Sequence, residues 1–398
     1  MRTRAYALAL VVIALSAVVA ACSLVGDSES DDAASEDQTA LSEDVEDAED
    51  AANARIVPED RQQSDDEEPP PPPPAPVADE IGLPLGFAAF RWAEGFQQPT
   101  ALAFSPDGRL FVAERGGQLW ALRDTDGNGA ADARVLYAEG FNELLGIAIA
   151  DDTTLYVSDR GRISVVEDLD GDGVSDRRLR ILEQLPVGRH QNNGIALDPA
   201  GRLFITLGST CNDCVERSEL SASIVVLDLE TRELHLFASG LRNPYDLAFS
   251  PDGTLWATDN GSDAPCASPD ELNRILPNTH YGWPYCEEEE PPFSNERGAA
   301  LDLGLHTSAD GLAWLESVSY PPELSGGFYI ALFGSNSDDP AIGKRVQFAK
   351  LEADGSLTLR DFARGFDRPL AVAVGPDAAI YVADFARGVI YRIAAPPD

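Results

Sequence analysis

Residues 189–209 read RHQNNGIALDPAGRLFITLGS. An apolar run, NGIAL, leads into a Pro-Ala-Gly turn and then a second apolar run that ends at Gly208. Apolar residues alternate with small or polar ones in both runs, which is the period of a strand, and the turn between them has hairpin chemistry. The same grammar begins again at Pro99 (PTALAFSPDGRLFVAERGGQLWAL), Leu144 (LLGIAIADDTTLYVSDRGRISVV) and Pro244 (PYDLAFSPDGTLWATDNG). It returns at Ala309 (ADGLAWLESVSYPPELSGGFYIALFGS) and Pro369 (PLAVAVGPDAAIYVADFARGVIYRI). Six copies at this spacing predict an all-β, six-bladed β-propeller, because lone four-stranded sheets expose both faces and a closed ring buries them. The segment FAAFRW at 87–92 is expected to add an outer strand to the last blade. The competing fold is a β-sandwich with chance similarity between strands, and the repeat periods favour blades.

Upstream of the repeats the chain changes character. Residues 1–22 have Arg2 and Arg4 ahead of an apolar core, then Val-Ala-Ala-Cys, and read as a lipoprotein signal with Cys22 as the lipidated residue. The alternative is an ordinary signal peptide. Residues 23–82 read as a tether. Its part from 27 to 68 holds 18 acidic and two basic residues and no aromatics, a composition that cannot offset the entropy of ordering. A run of six prolines, 69–74, follows as an extended spacer. The domain proper is 83–398, and the expected location is the bacterial cell envelope, on an outer membrane or an outer cell surface. The formal charge of the whole chain is −39, which argues against nucleic acid or an anionic membrane surface as partner beyond the lipid anchor itself.

With Cys22 set aside, four cysteines remain as two local pairs, Cys211 with Cys214 and Cys266 with Cys286. In an exported protein they are expected to form two short-loop disulfides. A redox or metal motif is the rival reading of CNDC. No second CxxC completes a zinc site, and no His follows Cys214.

Residues just before each inner strand of a propeller converge at one mouth of its channel. Here those stretches are 140–145, 189–193, 240–244, 306–310 and 366–368, and they carry His190, Arg189, Arg242, Asn243, His306 and Arg368. A neutral His is the usual base near pH 7, and arginines suit planar carboxylates. A ligand with several carboxylates beside a proton-abstraction site is the chemistry this implies. His306 and His280 are expected to be structural, as is the YGWP turn at Tyr281. Asp270 and Glu271 are expected to be solvated or bonded to backbone.

From about Leu83 to Ile393 the chain resembles the pyrroloquinoline-quinone (PQQ)-dependent sugar dehydrogenases, the soluble glucose, sorbosone and pyranose group. The motifs that carry the resemblance are LLGIAI at Leu144, HQNNGIALDPAGRLFITLGS at His190 and GLRNPYDLAFSPDGTLWATDNG at Gly240. DELNRILPNTHYGWPYC at Asp270 and RPLAVAVGPDAAIYVAD at Arg368 extend it. The resemblance implies His190 as the base, Arg242, Asn243, Lys344 and Arg368 as residues holding PQQ, and the backbone carbonyls of Gly261 and Ser262 as ligands of a Ca2+ ion. It implies oxidation of an aldose, with an electron acceptor the sequence does not name. Phe141 stands where glucose-type enzymes carry a Gln, Arg189 where they carry an acid, and Leu370 where they carry a second Arg, so glucose is not the expected sugar. The alternatives are a non-enzymatic sugar- or protein-binding propeller and a metal-dependent lactonase. The lactonase needs carboxylate and Asn ligands, and the channel stretches look poor in acids.

Two further loops, DTDGNGAAD at 124–132 and DLDGDGVSD at 168–176, follow a calcium-loop pattern. Asp124, Asp126, Asn128 and Asp132 fall at positions one, three, five and nine, as do Asp168, Asp170, Asp172 and Asp176. Gly129 and Gly173 fall at position six, but Val135 and Leu179 stand where a Glu belongs at twelve. Plain Asp-Gly hairpin turns are the equal alternative.

Overall fold

The computed structural model describes residues 71–77, 79–262, 267–286, 294–295, 297–335 and 342–395. The chain divides into two units, Met1–Asp66 and Glu67–Asp398. The first, with Cys22 and the acidic tract, lies outside the described residues, as does Cys266. The second unit is a six-bladed β-propeller of antiparallel sheets, with one short 3₁₀ turn among the described residues, at Pro322–Leu324.

Each copy of the repeat opens a blade. The inner strands of blades 1 to 6 are Pro99–Phe104, Gly146–Ile149, Asn192–Leu197, Pro244–Phe249, Ala309–Leu315 and Pro369–Val374. Each packs beside the next, and the sixth packs against the first, so the ring is closed. The closing device is the one the sequence suggests. Ala88–Glu94 pairs antiparallel with Val389–Ala394 and becomes the outermost strand of blade 6. A short strand, Thr279–His280, also runs parallel to the outermost strand of blade 3.

Apolar alternation feeds six core clusters, one between each pair of neighbouring blades. Between blades 5 and 6, for example, Tyr329, Val346 and Phe348 meet Val382, Tyr391 and Ile393. Each cluster depends on both of its blades, so burial rewards only the complete ring. Near the axis the backbones come too close for side chains. A Cβ at Gly194 would lie 2.7 Å from the Tyr245 carbonyl of the next blade. That explains why Gly recurs at this point of the repeat.

Candidate functional site

Five of the six inner strands begin with an irregularity. Pairing with the second strand shifts register between Pro99 and Ala101, Asn192 and Ile195, Pro244 and Leu247, Ala309 and Leu312, and Pro369 and Ala371. A bulge re-aims the side chain it frees. The residues inside these irregularities include Thr100, Asn193, Tyr245, Asp310 and Leu370, and all five line one cavity of about 330 Å³. The volume suits a small molecule.

A second device holds the loops above the strands. In four blades the second strand ends in an acid: Glu114, Asp159, Asp259 and Asp384. Each carboxylate accepts backbone N–H groups from the loop that enters its own inner strand. Asp259 accepts from Arg242 (3.0 Å) and Asn243 (2.7 Å), and Asp384 accepts from Asp367 (2.8 Å) and Arg368 (3.1 Å). Burial, with nearby Glu271, pushes the Asp259 carboxyl well above the usual range despite these bonds.

His190 lines the cavity. Its Nδ1 lies 2.9 Å from Ser209 Oγ, and Ser209 Oγ donates its one proton to the Cys211 carbonyl at 2.7 Å. The Ser oxygen therefore accepts from Nδ1–H, and the basic lone pair of the neutral ring is on Nε2. Cys211 is held by a disulfide to Cys214, with Cα atoms 6.1 Å apart. Gly208 leaves the space: a Cβ there would lie 2.5 Å from His190 Cβ and 2.6 Å from Asn243 Oδ1. Asn243 Oδ1 accepts from Asn193 Nδ2 at 3.0 Å, and both asparagines line the cavity.

The other residues singled out in the sequence are placed as follows. Arg242 is buried and donates to Asn212 Oδ1 (2.6 Å) and to the Asn212 and Asn260 carbonyls, and it is not among the lining residues. Lys344 Nζ lies 4.0 Å from Asp367 Oδ1. Arg368 donates to the Gly334 and Ser335 carbonyls and stacks over Phe333, whose ring lines the cavity with Phe385 at 5.6 Å between centroids. Gly261 N–H donates to Asp270, and the Ser262 carbonyl accepts from Ser268 N–H at 3.1 Å. Asp270 also accepts from Ser308 N–H and Thr307 Oγ1, the backbone-holding role expected of it. His280 is buried, accepts the Gly282 N–H through Nδ1, and is pushed toward its neutral form by burial. His306 is exposed and does not line the cavity. Of the three substituted positions, Arg189 and Leu370 line the cavity, while Phe141 packs between blades 1 and 2. Cys286 is disulfide-bonded.

The channel is not poor in acids, contrary to the expectation from its loops. Glu143 and Asp310 line it with Asn193 and Asn243. Both acids stand in stretches that converge on the channel, Glu143 in 140–145 and Asp310 in 306–310, so the sequence already carried them. Burial pushes Asp310 well above the usual carboxyl range, and Asn260 Nδ2 donates to it at 3.1 Å. Sequence reasoning missed Arg115, Arg160, Phe333 and Phe385, which line the cavity from one residue beyond the second strands.

In the two Asp-rich loops the carboxylates mostly accept backbone N–H groups of their own turns. Asp124 holds Asn128 and Gly129, Asp126 holds Asn128, and Asp132 holds Thr125. Asp168 holds Gly171 and Gly173, and Asp172 holds Val174. Oxygens of Asp168, Asp170 and Asp176 all lie within 4.8 Å of one another.

A protein family described as a domain of unknown function, DUF7133, matches residues 78–398, the whole propeller. The chain belongs to the DUF7133 family. Among solved structures, this DUF7133 chain is similar to an oxidoreductase (glucose dehydrogenase) of Thermus thermophilus. They share 25% identity at a TM-score of 0.61, over 78% of this chain and 100% of that one. The PQQ-bound aldose sugar dehydrogenase of Streptomyces coelicolor shares 20% identity at a TM-score of 0.61, over 80% and 100% of the two chains. The PQQ domain of pyranose dehydrogenase from Coprinopsis cinerea shares 15% at 0.66, over 81% and 98%. These last two likenesses are likenesses of fold. A 70-residue stretch is 36% identical to quinoprotein glucose dehydrogenase B of Acinetobacter calcoaceticus, and it spans 17% of this chain and 14% of that protein. The DUF7133 propeller is thus built on the architecture of the soluble sugar dehydrogenases, as its motifs imply.

Proposed function

We propose that this chain is a PQQ- and Ca2+-dependent sugar dehydrogenase, with His190 as the base that takes the proton of the reacting hydroxyl. The observation that carries this reading is the Cys211–Ser209–His190 relay, which puts the basic nitrogen of a cavity-lining ring on Nε2. The named relatives add the reaction class.

The residues present fit the cofactor. A flat, polycarboxylated quinone calls for an aromatic wall with cationic and amide donors around it. Phe333 and Phe385 form such a wall, with Arg368 stacked over Phe333, and Asn243 and Arg189 line the same space. Asn243, Arg368 and Lys344 would hold it, with Arg242 in support. PQQ, when bound, supplies the two-electron oxidant that takes the hydride from the sugar carbon. His190 accepts the hydroxyl proton from that same carbon centre, so that the sugar leaves two electrons and two protons poorer. Ca2+ held by the Gly261 and Ser262 carbonyls would add positive charge where negative charge develops. The Asp168–Asp170–Asp176 loop is a second Ca2+ candidate, at a distance from this chemistry. An envelope location through Cys22 completes the proposal, with the acceptor of the electrons left as a carrier of that compartment.

The test is dye-linked oxidation of a panel of aldoses by the purified full chain with PQQ and Ca2+. Sugar-dependent turnover is expected, and failure to bind PQQ at micromolar concentration with Ca2+ present sinks the reading.

One observation favours a second reading. Glu143, Asn193, Asn243 and Asp310 come from four successive blades to one cavity, the donor types a metal-dependent lactonase needs. Against it, Glu143 is held by two arginines and Asp310 is pushed toward its protonated form. Lactone hydrolysis with metal and without quinone would support it.

A further inference from the structure

Arg115 follows the second strand of blade 1, and Arg160 follows that of blade 2. Both line the cavity, and both point at one carboxylate, Glu143. Arg115 Nη2 donates to Glu143 Oε1 at 3.1 Å, and Arg160 Nη1 donates to Oε2. Among the described residues these are the only side-chain hydrogen bonds the two guanidiniums make, so each uses one of its five N–H donors. Their side chains stay 49% and 39% exposed. Two fixed cations share one anion, in a chain whose net charge is −39. A positive spot at a cavity mouth on so acidic a protein selects an anion.

The neighbouring residue points to a ligand independently. Gln191 is only 6% exposed and lines the same cavity. Its Nε2 donates to the Glu143 carbonyl at 3.1 Å, while its buried Oε1 has no hydrogen-bond partner among the described residues. A buried acceptor left without a donor is costly unless a ligand supplies one. Gln191 and His190 are neighbours in the chain and line the same cavity.

We infer that Arg115 and Arg160 form a carboxylate clamp and that Gln191 Oε1 accepts a hydroxyl of the same ligand, so that the substrate is an acidic sugar of the uronate class. The inference rests on the sugar-dehydrogenase reading for the word substrate, but not for the binding itself. A ligand carboxylate across the two guanidiniums balances the charge of the trio, two cations against two anions. The bidentate geometry of Arg suits that group. A neutral aldose leaves the spare donors of both arginines to water.

The test is calorimetric titration of the full chain with D-glucuronate and D-glucose, and with D-galacturonate and D-galactose, with and without PQQ and at two salt concentrations. Each uronate is expected to bind about tenfold or more tightly than its neutral parent, and the preference should shrink with salt. In the double variant Arg115→Gln/Arg160→Gln the preference should collapse to about twofold or less, and Gln191→Met should weaken uronate and parent alike. Circular dichroism melts of both variants establish that they fold.

Equal or tighter binding of the neutral parents overturns the inference, as does binding of neither sugar type. So does a double variant that loses PQQ and keeps the uronate preference, because the pair then belongs to the cofactor. Tighter binding of glucose 6-phosphate than of glucuronate overturns the carboxylate assignment. A uronate preference with no oxidation of any sugar sinks the dehydrogenase reading alone. Oxidation of neutral sugars with no uronate preference sinks this inference alone.

Discussion

His190 Nδ1 and Ser209 Oγ lie 2.9 Å apart, and the serine proton is already committed to the Cys211 carbonyl. The pair sets which ring nitrogen is basic without adding a charge to the site. Replacing Ser209 by Ala removes the acceptor and frees the tautomer. The expected outcome is a kcat about 10- to 100-fold lower with PQQ affinity unchanged, the scale seen when a group that orients a ligating or catalytic His is lost. Ser209→Thr should restore much of the rate. A kcat that does not move in Ser209→Ala would show that the orientation of His190 comes from elsewhere.

Gly208 makes a sharper steric test. Its φ is not in the left-handed region, so Ala is conformationally allowed, but the added methyl would fall 2.5 Å from His190 Cβ. Gly208→Ala is expected to lower kcat/KM by a factor on the order of 10², since a shift of about 1 Å at a reacting group has that cost. The measurement is steady-state oxidation beside a thermal melt, and wild-type kinetics in a folded variant would contradict the placement of His190.

Asp259 shows how the fold positions the site. Its carboxyl is the acceptor for two backbone donors on the loop that carries Arg242 and Asn243. Asp259→Ala leaves both N–H groups without it, at an expected cost of about 2–4 kcal/mol. Urea denaturation measures the change. A change below about 0.5 kcal/mol would mean that the loop is held by other contacts.

Asp246, on the inner strand of blade 4, should make stability depend on pH. Burial pushes its carboxyl up to about 7, against hydrogen bonds from the Leu312 and Leu247 backbone. A raised folded-state value means that the folded protein holds the proton more tightly than the unfolded chain. The contribution is complete below about pH 4, where the unfolded carboxyl titrates, and is lost as pH rises toward about 7. Asp246→Asn removes this titration. The difference in unfolding free energy between wild type and variant should therefore shift by a few kcal/mol against the wild type from pH 4 to pH 7. A difference that stays flat across that window would show that Asp246 is ionised at both ends.

The propeller was legible because apolar alternation recurs six times, with Asp-Gly or Gly-Arg turns in most copies, and each copy opens an inner strand. His190, Asn193 and Asn243 were legible as members of the loops before those strands. Arg115, Arg160 and Phe385 were not, because each follows an acid that caps the second strand, and nothing in its own type marks it as cavity-lining. The acids themselves recur in the repeat, in VAER, VSDR, ATDN and VADF, and are the one signal that could have marked that rim. Asp310 stood in one of the stretches before the inner strands as well, but the irregularity that brings it to the cavity was not legible. Strand alternation alone does not predict the bulge in which it lies. For Arg242 the motif implies a cofactor contact, and the structure adds that its guanidinium donates to Asn212 and Asn260.

The most direct test of the central claim is single-turnover reduction of bound PQQ by excess sugar, followed by absorbance, in wild type and in His190→Ala. Loss of a general base predicts a reduction rate about 10²- to 10⁴-fold lower in the variant, with PQQ bound as tightly as in wild type. Equal reduction rates in the two proteins, or sugar that leaves wild-type bound PQQ oxidised, would contradict the assignment of His190 and with it the dehydrogenase reading of this cavity.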